Sequence, residues 1–241
     1  MSPTPLIEVH PDSPALATAV AGELLTRLAD AQVAGGMPQI ALTGGTIADA
    51  VHHEIARLAP ASEVDWTRVG LWWGDERFVA ADDPDRNARQ ARLAFLDAVG
   101  VDRAHVHEMP STGEAVDVDA GAASYAQTLR THGGGEFEIV MLGIGPDGHV
   151  ASLFPGFPQL DATGIAVGVT GSPKPPPERI SLTFAALNRA RSVWFLVSGD
   201  GKADAVARAL GGADPHEIPA AGVAGHEETV WFLDRPAASQ L

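Results

Sequence analysis

Apolar residues at helical spacing alternate along this chain with short, continuous apolar runs. The first predicted helix begins at Ser13, a favourable N-cap, with Pro14 in the first helical position, and Gly35-Gly36 ends it. Its apolar face repeats every four residues, at Leu16, Val20, Leu24 and Leu28. This segment is therefore expected to pack one face of a helix against a core.

The same spacing predicts four more helices. They begin after Thr46, at Asn87, at Ala115 and after Lys202. The helix after Thr46 is predicted to bury Ile47, Val51, Ile55 and Leu58. The helix from Asn87 runs through Leu93 and Leu96, and the helix from Ala115 ends near Leu129. The helix after Lys202 is predicted to bury Val206 and Leu210.

Short runs rich in β-branched and aromatic residues predict strands between the helices. The runs are 39–42, 69–73, 139–142, 179–183, 192–197 and 231–233. Helices that alternate with strands from end to end are typical of a parallel, doubly wound sheet. We predict a single α/β domain over 1–241, Rossmann-like, with a mostly parallel sheet and helices on both faces. The Pro-rich stretch 171–177 is too short to divide the chain.

Glycines and polar residues follow four of the predicted strands. The segments are Thr43-Gly44-Gly45-Thr46, Gly74-Asp75-Glu76-Arg77, Asp147-Gly148-His149 and Ser198-Gly199-Asp200-Gly201-Lys202. Each of them also fits an ordinary solvated turn. However, open α/β sheets bind ligands at the carboxyl ends of their strands, so the four segments are expected to converge on one edge.

Each segment carries residues suited to a particular kind of chemistry. Glycines before a helix leave free N–H groups at its positive end, which favours an anion there. Arg77 can bind phosphate or carboxylate with two parallel hydrogen bonds. Asp147 lies two residues from His149, close enough to orient the imidazole or hold its proton.

Composition excludes several classes of function. The 241 residues carry a formal net charge of −15, which argues against a nucleic-acid partner. No cysteine is present, so disulfides, thiol nucleophiles and thiolate metal sites are excluded. No apolar run approaches the roughly 18 residues of a membrane span, and the N-terminal segment lacks the features of a signal peptide. A cytoplasmic protein is expected, with no membrane partner.

Three familiar sites are not supported by the residue spacing. Gly143, Gly145 and Gly148 match the dinucleotide fingerprint, but Asp147 would place a negative charge against the pyrophosphate, and no acidic residue follows at the expected distance. His52-His53 and the pair His105/His107 lack the spacing of zinc ligands. No G-x-S-x-G turn is present. We therefore expect no cofactor and no metal.

Taken together, several segments resemble the 6-phosphogluconolactonase family. They are ALTGGT, WWGDERFV followed by Asn87, LGIGPDGHVASLFPG, RISLTFAALNRA and GDGKADA, and the resemblance extends from 43 to 234. The wider superfamily includes glucosamine-6-phosphate deaminase/isomerase, which carries a Glu-containing segment after the His where this chain has 152–156. One departure is Arg86, where the family more often has Ser, and we expect a neutral change at the rim of the site.

The resemblance implies hydrolysis of 6-phospho-D-glucono-1,5-lactone to 6-phosphogluconate. It implies a general base, His149, with Asp147 and Asp75 ordering the site. The implied substrate-binding residues are Thr43, Gly44, Gly45, Thr46, Arg77, Gly148, Arg179 and Lys202. The partner is then a small sugar-phosphate lactone, and a monomer, or at most a weak dimer, is expected. A deaminase and a non-catalytic sugar-phosphate sensor are the alternatives.

Overall fold

Helices and strands alternate along the chain, as the spacing of apolar residues predicts. The computed structural model describes residues 3–133 and 135–241. Its strands are β1 Leu6–His10, β2 Gln39–Leu42, β3 Gly70–Trp73, β4 Asp75–Arg77, β5 Ile139–Leu142, β6 Ala166–Val169, β7 Arg179–Leu182, β8 Ser192–Val197 and β9 Glu228–Asp234. Its α-helices are α1 Ser13–Val33, α2 Thr46–Leu58, α3 Asn87–Ala91, α4 Asp97–Val99, α5 Val118–His132, α6 Phe184–Leu187 and α7 Ala203–Leu210.

Six of the strands form one parallel sheet in the order β1-β9-β8-β5-β2-β3. From β2 the chain moves outward to β3 and later returns to place β5 on the other side of β2. The direction of winding therefore reverses between β2 and β5. Such a switch point opens a crevice beyond the carboxyl ends of the two strands, where open α/β sheets bind ligands.

Helices cover both faces of this sheet, which confirms the predicted fold class. Side chains alternate across each strand, so Leu42 packs with α1, α2 and α3 in one buried cluster and Ala41 packs with α5 and α7 in another. The residues predicted to face inward from α1 and α2 are buried at Leu16, Val20, Leu24, Leu28, Val51 and Ile55. Three others are only half-buried, namely Ile47 and Leu58 of α2 and Leu210 of α7. None of the helices described here is long and apolar enough to cross a lipid bilayer.

A second, three-stranded antiparallel sheet, β4-β7-β6, lies beside the first. The segment predicted as a strand from Arg179 is β7, but it pairs with β4 and β6 instead of joining the parallel sheet. The charged segment Asp75–Arg77 is the strand β4, separated from β3 by Gly74 alone. Because only Gly74 separates the two strands, β4 starts at the crevice, and the side chains of Asp75 and Arg77 line it.

Three local expectations were wrong. The helix predicted to begin at Ala115 is α5 and begins at Val118. The N-cap of α1 is Asp12, whose Oδ1 accepts a hydrogen bond from the Ala15 N–H at 2.9 Å, so that Ser13 is already helical. The helix from Asn87 is not regular, because a π-helical turn, Arg92–Leu96, joins α3 to α4. Leu93 lies in that turn with 68% of its surface exposed.

Candidate active site

A cavity of about 250 Å³, called here the crevice cavity, lies at the switch point between β2 and β5. The segments that follow β2 and β5 line it with Thr43, Gly44, Gly45, Gly143, Ile144 and Gly145. The glycines in these segments have no side chain, so a ligand can approach the backbone closely. The predicted convergence of polar segments at one sheet edge is therefore present in the fold.

His149 and Asp147 form a hydrogen-bonded pair at this cavity. The distance from His149 Nδ1 to Asp147 Oδ1 is 2.5 Å, and His149 lines the cavity. Burial alone would raise the pKa of Asp147, but the hydrogen bond and charge of His149 outweigh it and lower that pKa to about 2. Asp147 is thus an anion throughout the neutral range and can only accept, which assigns the proton on the neutral ring to Nδ1.

The other ring nitrogen of His149, Nε2, is left as a proton acceptor. The residues described here give Nε2 no hydrogen-bond partner, while Phe154 packs against the ring with 4.6 Å between centroids. Gly145 is required behind the pair, because a Cβ atom there would overlap both His149 Nδ1 and Asp147 Oδ1. The loop therefore fixes the imidazole from two sides and leaves one nitrogen available for chemistry.

Asp75 reaches the opposite wall of the crevice cavity from β4. Its Oδ2 accepts a hydrogen bond of 2.6 Å from the Ser152 hydroxyl. The Ser152 N–H in turn donates to Ser181 Oγ at 3.2 Å, which ties the segment after His149 to β7. Asp75 is therefore held on a buried hydrogen-bonded network, and such networks fix geometry when every member is satisfied.

Arg77 and Asn87 form the third wall. Arg77 Nη1 donates to Asn87 Oδ1 and to the Asp85 carbonyl, the latter at 3.1 Å. Asn87 Nδ2 donates to the Asp75 carbonyl at 2.9 Å. Gly44 packs so closely that a Cβ atom there would overlap Asn87 Oδ1. The absence of a side chain at Gly44 thus lets the segment after β2 pack directly against Asn87, which hydrogen-bonds to Arg77.

Positive charge is concentrated at this cavity in a strongly acidic chain. Four cations line it: Arg77, Lys174, Arg179 and Lys202. The chain contains only two lysines, and both are in this group. Lys202 Nζ donates to the Ile144 carbonyl at 2.7 Å, and burial, followed by the charge of Lys174, lowers the pKa of Lys202. Two ammonium groups near each other are suited to a ligand that brings negative charge.

Arg179 holds the Pro-rich loop that carries Lys174. Its Nε donates to the Pro176 carbonyl at 2.7 Å, and its Nη2 donates to the carbonyls of Lys174 and Pro175 at 3.1 and 3.2 Å. Burial lowers the pKa of Arg179, and the neighbouring charge of Arg77 acts in the same direction, opposed by Asp75. This guanidinium therefore both lines the cavity and orders the loop at its rim.

Most of the predicted site residues meet at the crevice cavity. Those that line it are Thr43, Gly44, Gly45, Asp75, Arg77, His149, Arg179 and Lys202. Thr46 lines a neighbouring cavity that shares Gly44, Gly45 and Lys202 with the first. Gly148 lies behind the site with φ +82°, where a Cβ atom would crowd Ile218. Asp147 contacts His149 from outside the lining.

Among the polar and aromatic side chains that line the cavity, sequence reasoning assigned no role to Lys174, Asn87 or Phe154. A lone lysine in a Pro-rich loop of an acidic protein is the signal that could have identified Lys174. Among residues 3–133 and 135–241, no group of three or more His, Asp or Glu side chains is arranged to hold a metal ion.

Comparison with known proteins agrees with this geometry. A family model described as glucosamine-6-phosphate isomerases/6-phosphogluconolactonase matches residues 11–231. The chain belongs to this family. It is 46% identical to the 6-phosphogluconolactonase of Streptomyces coelicolor over 100% of this chain and 96% of that protein. It is likewise 46% identical to the 6-phosphogluconolactonase of Mycobacterium tuberculosis, over 98% of each chain.

Solved structures of the family share the fold described above. The crystal structure of 6-phosphogluconolactonase from Thermotoga maritima superimposes with a TM-score of 0.85 and 26% identity, covering 95% of this chain and 99% of that one.

The expectation that Arg86 lies at the rim of the site was wrong. Arg86 is not at the rim of the site but fully buried, with 1% of its surface exposed, beside Glu76.

Proposed function

We propose that this protein is an enzyme that hydrolyses 6-phospho-D-glucono-1,5-lactone to 6-phospho-D-gluconate, the second step of the oxidative pentose phosphate pathway. The observation that carries the proposal is the His149–Asp147 pair, which leaves an imidazole nitrogen free at a cavity lined by four cations. Relatives named 6-phosphogluconolactonase that are 46% identical over the full chain support the same substrate.

In the proposed reaction His149 Nε2 takes a proton from water as the oxygen attacks the lactone carbonyl carbon. The carbonyl electrons move to oxygen, and a cation of the cavity stabilises the oxyanion. Collapse of this intermediate breaks the bond between the carbonyl carbon and the ring oxygen, which takes the proton from the imidazolium. Asp147 stays ionised, holds Nδ1–H and stabilises the cationic ring, as in other carboxylate–imidazole pairs.

We place the substrate phosphate near Lys202 and the start of α2. Gly45 precedes α2 without a side-chain cap, so N–H groups of the first turn are free to bind an anion. Thr46 and Lys202 line one shared cavity beside this helix start. Arg77 lines the crevice cavity together with Asp75 and His149 but does not line the cavity at the start of α2, so we place the lactone oxygen near Arg77.

Efficient turnover is expected to depend on the substrate phosphate. Losing a charge-assisted hydrogen bond costs about 1.5–3 kcal/mol, which corresponds to a loss of roughly ten- to a hundredfold in kcat/KM. Lys202→Ala should therefore lose this factor on the phosphorylated lactone. The same variant should match the parent on unphosphorylated gluconolactone, which is itself expected to be a poor substrate.

Steady-state rates on both lactones, corrected for spontaneous opening, provide the measurement and its internal control. Equal efficiency of the parent enzyme on the two lactones would contradict the phosphate requirement. Turnover of freshly generated phosphorylated lactone above the spontaneous rate tests the proposed function itself. A sugar-phosphate sensor would bind without accelerating the reaction, and a deaminase would release ammonia from glucosamine 6-phosphate.

We further propose that the reaction needs no dissociable metal or other cofactor, since the base and the cations belong to the chain. Dialysis against a chelator is expected to leave the hydrolysis rate unchanged. Recovery of a lost rate on adding zinc or magnesium would contradict this. The net charge of −15 argues against a nucleic-acid partner, and we propose a cytoplasmic protein that is a monomer or at most a weak dimer.

A further inference from the structure

Glu76 is a buried carboxylate directly behind the crevice cavity. It lies in β4 between Asp75 and Arg77, which both line the cavity, and only 1% of its surface is exposed. Its Oε1 accepts the backbone N–H groups of Arg77 and Asn87, and its Oε2 accepts that of Ala88, each at 2.8 Å. One side chain therefore ties β4 to the first turn of α3.

The two backbone segments joined by Glu76 carry the third wall of the site. Arg77 and Asn87 hydrogen-bond to each other through their side chains, and Asn87 also donates to the Asp75 carbonyl. Gly44 leaves no room for Asn87 to move toward β2. The relative position of Arg77 and Asn87 thus depends on the three hydrogen bonds that converge on Glu76.

Arg86 is the buried counter-charge of this carboxylate. Its Nε lies 3.9 Å from Glu76 Oε2, and its Nη2 donates to the Met109 carbonyl at 2.6 Å. Nε and Nη1 have no hydrogen-bond partner within the described part of the chain. A buried guanidinium with unpartnered N–H groups costs stability, so packing alone does not account for a charged side chain at this position.

The charge state of Glu76 is sensitive to its surroundings. Burial raises the pKa of Glu76 to about 7, although Arg86 first and the three backbone N–H groups next act to lower it. The other titratable groups that face it are Tyr125 from α5 and Arg179 from β7. Protonation turns one carboxyl oxygen into a donor and removes the negative charge, which weakens the hydrogen bonds that Glu76 accepts from the three backbone N–H groups.

We propose that Glu76 and Arg86 act as a buried positioning pair, in which Arg86 favours the ionised form of Glu76 and ionised Glu76 holds Arg77 and Asn87 in their substrate-binding geometry. Neither side chain lines the cavity. The hydrogen bonds of the pair go to Arg77, Asn87, Ala88 and Met109, and none involves His149. The pair is therefore expected to act on substrate affinity through Arg77 and Asn87. The substrate used to read this effect is that of the proposed function.

The test compares Arg86→Met, which removes the charge and keeps an unbranched apolar side chain, with Arg86→Lys, which keeps the charge. Arg86→Met is expected to raise KM for the phosphorylated lactone roughly tenfold at pH 7, the size of one lost charge-assisted hydrogen bond. The kcat should stay within a few-fold of the parent. The pH below which KM rises should move upward, and Arg86→Lys should restore the parental KM.

A double-mutant comparison separates this role from general destabilisation. If Arg86 acts through Glu76, Arg86→Met adds little to the KM of Glu76→Gln, and Glu76→Gln abolishes the pH dependence of KM near neutrality. A folded Arg86→Met with the parental KM and pH profile would overturn the proposal. So would an Arg86→Met effect of undiminished size in the Glu76→Gln background.

Two further measurements keep the outcome decisive. Circular dichroism establishes that each variant is folded, and if Arg86→Met fails to fold, Glu76→Gln and Arg86→Lys decide the question by the same criteria. The Kd of 6-phosphogluconate, measured by calorimetry, reports on the wall formed by Arg77 and Asn87 without requiring turnover. A parent that binds this product but does not hydrolyse the lactone would contradict the proposed function and leave the positioning pair testable.

Discussion

Replacing His149 with Gln is expected to lower kcat by about 10²–10⁴-fold, the usual contribution of a general base. Nε2 of His149 is free in the structure, and Nδ1 is held by Asp147, so the side chain is arranged to accept a proton. Because the base acts in the transition state, removing it should lower kcat and leave KM nearly unchanged. The measurement is steady-state kinetics on fresh lactone, corrected for spontaneous hydrolysis.

His53→Gln provides the matched control, since His53 is exposed on α2, away from the cavity lining. That variant should keep the parental kcat and KM. If the folded His149→Gln protein retains kcat within a few-fold of the parent but shows a raised KM, His149 is a binding residue and another group activates water.

Gly145→Ala is expected to lower kcat by roughly 10²-fold or more although it replaces no catalytic side chain. The added Cβ atom would overlap His149 Nδ1 and Asp147 Oδ1, so the hydrogen bond between them has to break or move. Misplacing a catalytic group by about 1 Å is enough for a loss of this size. Kinetics of the folded variant, together with the NMR signal of the His149 ring, would measure it.

Gly143→Ala is the control from the same loop. A Cβ atom at Gly143 meets no protein atom closer than 3.9 Å, so the His149–Asp147 pair should stay intact. Because Gly143 lines the cavity, the methyl group is expected to raise KM, while kcat should remain close to that of the parent. Equal kcat losses in the two variants would mean that the loop tolerates no methyl group at all. The specific overlap with His149 and Asp147 would then not explain the result.

The main sheet and its helices were predictable because buried parallel strands leave a clear apolar signal. Ile139–Leu142 and Ser192–Val197 are apolar throughout or nearly so and were placed correctly. β1 was missed because it lies at the sheet edge and exposes Leu6, Ile7 and Val9, so no buried face marks it. The small antiparallel sheet was missed because β4 is three charged residues, a pattern that also fits a loop.

Residues of the site were predictable where they follow strands of the main sheet, as His149 and Lys202 do. Arg86 was misjudged because nothing in its acidic, polar neighbourhood indicates burial, which arises from contact with Glu76 and the Met109 carbonyl. Lys174 was overlooked because its place depends on Arg179 folding the Pro-rich loop back over the crevice. Such long-range contacts leave no local pattern in a sequence.

The location of both lysines has a consequence for handling the protein. Amine-reactive reagents usually label many surface sites, but in this chain every lysine ε-amino group lies at the crevice cavity. Half-burial and the neighbouring charge lower the pKa of Lys202, which increases the share of its nucleophilic neutral form at a given pH. Lysine-directed acylating reagents are therefore expected to modify the candidate active site, and coupling through lysines to a sensor surface or resin would block that cavity.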